Sequence, residues 1–220
     1  MDRQLYAKTL APLLFASAVL AGASFWPMSH ILTPGVGFVL WKTAGVALLS
    51  LWALVVARTG AGRLLALVLT FGALGDATLE ISQTVGAAAF LVGHGLAFTL
   101  YRRHRRSTGQ MAALGIGLII PLAAWLLTHD VRALVYACGL GAMAGSACGS
   151  RLPRHQVALG ALMFAVSDLL IFSRFHVLQD SAIPSLLIWP LYFAAQALIA
   201  YGVVQTLEAR KRNEDLHHRL

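Results

Sequence analysis

Charge is scarce in this sequence. Of 220 residues only 12% are Asp, Glu, Lys or Arg, against roughly a quarter in soluble domains. With 58% hydrophobic residues and a mean hydropathy of +0.73, that shortage excludes an ordinary water-soluble domain. Cysteine is nearly absent. Cys138 and Cys148 lie on one apolar run, about 15 Å apart along a helix axis, too far for a bridge. No Cys/His pattern around them suits zinc. Also missing is any polar, Gly/Ser-rich or Pro-rich stretch long enough to link two domains. Residues 1–220 therefore read as one all-α transmembrane domain with a short polar tail over 208–220.

What fills the chain is apolar runs of spanning length. They cover 7–26, 35–56, 64–81, 84–101, 111–128, 131–150, 156–172 and 184–204, each near the roughly 17–25 residues that a membrane helix needs. Eight spans make a polytopic bundle. Basic residues favour the cytoplasmic side of short loops. With the N-terminus inside, the inner segments hold Arg3, Lys8, Arg58, Arg63, Arg102, Arg103, Arg105, Arg106, Arg151, Arg154, Arg210, Lys211, Arg212 and Arg219. The outer loops hold Arg132 and Arg174, and Lys42 lies within span two. Both termini are thus expected in the cytoplasm. A rival reading takes the first run as a cleaved leader, because Ala21-Gly22-Ala23 is an A-x-A-like site. Cleavage would leave seven spans and spoil the charge asymmetry.

Three acids stand inside these runs: Asp76, Glu80 and Asp168. A carboxylate at membrane depth is costly and faces a protein interior or a wet cavity, which makes each a functional candidate. From the helical rise, Asp76 lies about 9 Å and Asp168 about 8 Å below the outer ends of their spans. Lys42 and Tyr192 fall about 10 and 12 Å in on two other spans, so four helices contribute to one outer-leaflet layer. Glu80, one turn above Asp76 on the same face, belongs at the mouth. His94 and Gln196 come nearer the midplane and would form a floor. The plain alternative is an interhelical ion pair that fixes packing and does no chemistry. One lysine cannot neutralise three carboxylates, however, and a protonated acid beside an ionised one is where acid/base catalysis starts.

The aspartates also occupy matching places, each on the third span of its half of the chain, in Gly75-Asp76 and Ser167-Asp168. That is the pattern of a parallel four-plus-four repeat. Other signals carry less. Gly141, Gly145 and Gly149 form a small-xxx-small packing face rather than a phosphate loop. The cluster Arg102-Arg103-His104-Arg105-Arg106 is simplest as a topology anchor on anionic lipid, and no nucleic-acid partner is expected. His217 and His218 belong to a solvated helical end.

Taken in order, Trp41-Lys42-Thr43, Leu74-Gly75-Asp76, Phe90-Leu91-Val92-Gly93-His94, Ser167-Asp168-Leu169-Leu170 with Ser173-Arg174-Phe175, and Tyr192-Phe193-Ala194-Ala195-Gln196 resemble the YhhN, or lysoplasmalogenase-like, membrane family. The resemblance covers nearly the whole chain. It implies hydrolysis of the vinyl ether of a lysophospholipid, without metal or organic cofactor, and its two intramembrane aspartates fall on Asp76 and Asp168. Lys42 or Arg174 would hold the substrate phosphate. Tyr192, His94 and Gln196 would orient the aspartates or the water, His94 being equally readable as a packing contact. Glu80 departs from the family's usual apolar residue and reads as a third acid or an interfacial side chain. Composition suggests a bacterial inner membrane with the site toward the outer, periplasmic half. A small proton- or cation-coupled transporter, or a lipid-binding protein without turnover, is the alternative; against the first, spans five and six offer no ionisable side chain leading inward.

Overall fold

A computed structural model describes residues 3–57 and 59–217, without the side chains of residues 3–8, 215 and 217. Arg58, His218 and Arg219 lie outside the described residues, as do the side chains of Arg3, Lys8 and His217. Eight helices follow in order: α1 Arg3–Met28, α2 Val36–Val56, α3 Gly60–Leu79, α4 Gln83–Arg103, α5 Gln110–Thr128, α6 Val131–Cys148, α7 Leu159–Ser173 and α8 Ile183–His217. A π-helical turn, Arg154–Ala158, leads into α7. All eight are long and apolar enough to cross a membrane once that turn is counted with α7. The protein is an integral, multi-pass helical bundle.

Local chemistry moves some boundaries away from the hydropathy. Helix α3 begins at Gly60, four residues before the apolar run, because the Thr59 side chain accepts from Gly62 N–H and caps it. Ser82 caps α4 in the same way, accepting from Val85. Helix α8 runs 35 residues, through the polar tail. Lipid-facing positions stay apolar, with Leu13, Leu20, Leu40, Leu118 and Leu122 more than half exposed.

Without water, every backbone group freed by a proline needs a partner inside the protein. Pro190 lies within α8 and has no N–H for the carbonyl of Leu186. The indole Nε1 of Trp26 on α1 donates to that carbonyl at 3.1 Å. In return Trp189 Nε1 donates to Gly22 O of α1 at 2.8 Å. Ser167 Oγ reaches Ile188 O at 2.9 Å, tying α7 to the same stretch. Pro121 frees Gly117 O in α5 in the same manner. Opposite it α6 places Gly141, where a Cβ would come within 2.5 Å of that oxygen. The glycine face of α6 thus serves close packing inside one bundle. At the far end of these helices, Arg106 N–H donates to Gly149 O and Arg151 N–H to His104 O. These bonds, with an isolated antiparallel bridge between Arg105 and Ser150, pin the α4–α5 and α6–α7 connections together.

A Cβ at Gly145 would meet the Ala113 carbonyl at 2.3 Å. Gly145→Ala must therefore push α5 and α6 apart, at a cost of about 1–3 kcal/mol. Thermal unfolding in detergent should show a lowered midpoint, whereas Gly115→Ala, with open space around it, should leave the midpoint in place.

Candidate active site

The buried stripe of α3 includes Leu65, Leu69, Gly72, Ala73 and Asp76, a helical spacing that turns Asp76 inward with its apolar neighbours. On α7 the stripe is Ala161, Phe164, Ala165 and Asp168. Both acids are buried, at 2% and 5% exposure, and each has a tyrosine. Tyr192 OH of α8 donates to Asp76 Oδ2 at 2.8 Å. Tyr136 OH of α6 donates to Asp168 Oδ2 at 2.6 Å.

Further groups connect the two pairs. His94 Nε2 lies 3.1 Å from Tyr136 OH and 3.9 Å from Asp168 Oδ2. Tyr136 gives its one proton to Asp168, so it can only accept from His94. Nε2 therefore carries the ring hydrogen, and Nδ1 is left as an acceptor. Gln196 Nε2 donates to Tyr192 OH at 3.4 Å. Phe164 stands between the pairs, its ring centroid 5.2 Å from both His94 and Tyr192. The arrangement is two buried carboxyls, each hydrogen-bonded to a phenol.

Of the residues expected from sequence, Asp76, Asp168, Tyr192, His94 and Gln196 come together. His94 makes polar contacts as well as packing. Lys42 and Glu80 pair with each other at 2.5 Å, with side chains 15% and 32% exposed. Glu80 is thus an ion-pair partner one turn from Asp76, and the lysine is shared with it rather than reserved for Asp76. Arg174 lies at the end of α7, exposed, its guanidinium 4.7 Å from the Phe175 ring. It is outside the aspartate cluster, though within the field of Glu80.

Tyr136 was missed. It stands on span six and holds Asp168. The available signal was its position: five residues into α6, it stands at about the depth of Asp168, five residues from the end of α7. Beside the cluster, an apolar groove of about 650 Å³ runs between α1 and α8, lined by Phe15, Val19, Gly22, Trp26, Trp189 and Phe193 among others. Trp189 separates the groove from the site, with its ring 5.5 Å from Tyr192.

The YhhN family profile matches residues 37–203, which hold every one of these side chains except those that α1 gives to the groove. The chain belongs to the YhhN family. Two curated relatives, both named lysoplasmalogenase, come from Mycobacterium bovis and Mycobacterium tuberculosis. Each is 32% identical over 155 residues, covering 61% of this chain and 58% of the relative. The matched part thus spans little more than half the length of those proteins. No solved structure matches the chain.

In this YhhN-family bundle the phenols are the carboxyls' partners, so their loss should be felt as stability. Tyr136→Phe and Tyr192→Phe each leave a buried acid short of a donor, worth about 1.5–3 kcal/mol. Both variants should unfold earlier on heating, and the Tyr136 change should also free His94, visible as a shifted imidazole NMR signal.

Proposed function

We propose that this protein is a membrane-embedded lysoplasmalogenase, which hydrolyses the vinyl ether of a lysoplasmalogen to a fatty aldehyde and a glycerophospho-head-group alcohol. The observation that carries the reading is the pair of buried aspartates, each aligned by a tyrosine, on helices matched by the YhhN family. The names of the two mycobacterial relatives support the same chemistry.

A vinyl ether is cleaved by protonation of its alkene carbon, which yields an oxocarbenium ion. Water captures that ion, and the resulting hemiacetal collapses to aldehyde and alcohol. One carboxyl supplies the proton, and the other, ionised, stabilises the cation and activates the water. The demand parallels glycoside hydrolysis, where two carboxyls flank an oxocarbenium-like transition state. Burial serves this step, because charge developing in a low-dielectric chamber interacts strongly with fixed groups. Tyr136 and Tyr192 aim the acids, and His94 and Gln196 hold the phenols.

The substrate's apolar chain lies in the α1–α8 groove, whose volume and lining suit a lipid tail. Its phosphate is at the mouth, near Lys42 and Arg174. In this reading the mouth faces the periplasmic half of a bacterial inner membrane, with both chain ends in the cytoplasm.

Asp76→Asn and Asp168→Asn should each lower aldehyde release from purified protein about 10²–10⁴-fold, with thermal midpoints close to wild type. Full activity in both would rule out the two-carboxyl mechanism. Ala194→Phe, which narrows the groove, should raise KM for a long-chain substrate about tenfold and leave a short-chain one unaffected.

A further inference from the structure

Two turns along α4 from His94, on the same face, lies Tyr101. It is 1% exposed, and its hydroxyl has no hydrogen-bond partner among the described residues. An unpaired hydroxyl is costly in apolar surroundings. Tyr101 also lines a small cavity of about 20 Å³ among α3, α4, α6, α7 and α8. Its other walls include His94, Gln196, Met143 and Phe164. The cavity lies on the side of His94 away from the Lys42–Glu80 mouth.

Roughly 10–15 Å³ is enough to hold one water, provided that two to four polar groups receive it. Three polar side chains line this space: the orphaned phenol of Tyr101, the amide of Gln196, and the His94 ring, whose Nδ1 is an acceptor. We propose that Tyr101, His94 and Gln196 form a water site beneath the two aspartates, and that this site replenishes the water consumed in each turnover. The second half of the proposal rests on the hydrolase reading. Each vinyl ether cleaved takes up one water: its oxygen ends in the aldehyde, one hydrogen on the former alkene carbon and the other on the alcohol oxygen. The lipid approaches from the apolar groove, so the water comes by a separate route. Tyr101 is a positioning residue, since it holds the water ahead of the reaction and takes no part in the proton transfer or the bond cleavage.

Tyr101→Phe keeps the ring and its packing while removing the hydroxyl. If the hydroxyl binds water, its loss should lower the thermal midpoint in detergent by about 2–4 °C and reduce kcat for aldehyde release about tenfold with KM unchanged. If the hydroxyl is merely stranded, the variant gains stability and turns over like wild type. A midpoint that rises or stays put overturns the water site, and wild-type kcat overturns its role in turnover. Should the wild-type protein release no aldehyde from any lysoplasmalogen, the hydrolase reading fails by itself, and the midpoint alone decides the water site.

Discussion

The bundle is organised around the need to give two buried carboxyls hydrogen-bond donors. A polar group moved from water into hydrocarbon without a partner loses several kcal/mol, and a charged one loses far more. Asp76 and Asp168 answer that with one phenol each. Meeting this need dictates which helices touch. Helix α8 must cross α3 at the level of Asp76, and α6 must cross α7 at the level of Asp168. Phe90, Phe164 and Trp189 fill the space between with edge-on or tilted rings. The same donors that make burial tolerable also fix where the carboxyl oxygens point.

The prolines pose the same problem in the backbone. Pro190 frees one carbonyl and Pro121 another; an indole donates to the first, and the glycine face of α6 packs against the second. In a soluble protein water would satisfy both. Here each lies against a neighbouring helix, so the prolines of α5 and α8 fall where those helices are closely joined.

Much of this was legible in the sequence. Apolar run lengths gave the eight spans, and helical rise placed Asp76, Asp168, Lys42 and Tyr192 at similar depths; of these, Tyr192 and Asp76 pair. What depth cannot supply is rotation about each helix axis. Lys42 was equally placed to face Asp76 or Glu80, and only the packing of α2 against α3 settles it on Glu80. Tyr136 was overlooked because a tyrosine near a membrane boundary usually reads as an interfacial anchor. The early start of α3 turns on the Thr59 cap, which hydropathy does not register. The partners also depart from the likeness between the halves: Asp76 bonds to the last helix and Asp168 to the sixth, both in the second half of the chain.

The bonds between α1 and α8 bear on how the protein is made. A chain is synthesised from its N-terminal end, so Asp76 enters the membrane five helices before Tyr192 exists. Through that interval its carboxyl lacks its final donor, and the carbonyl of Gly22 has no indole to accept from. The last helix supplies both bonds at once. Its arrival completes these contacts in one event, so a ribosome that stops before the last helix leaves a nearly complete bundle with an unfinished site.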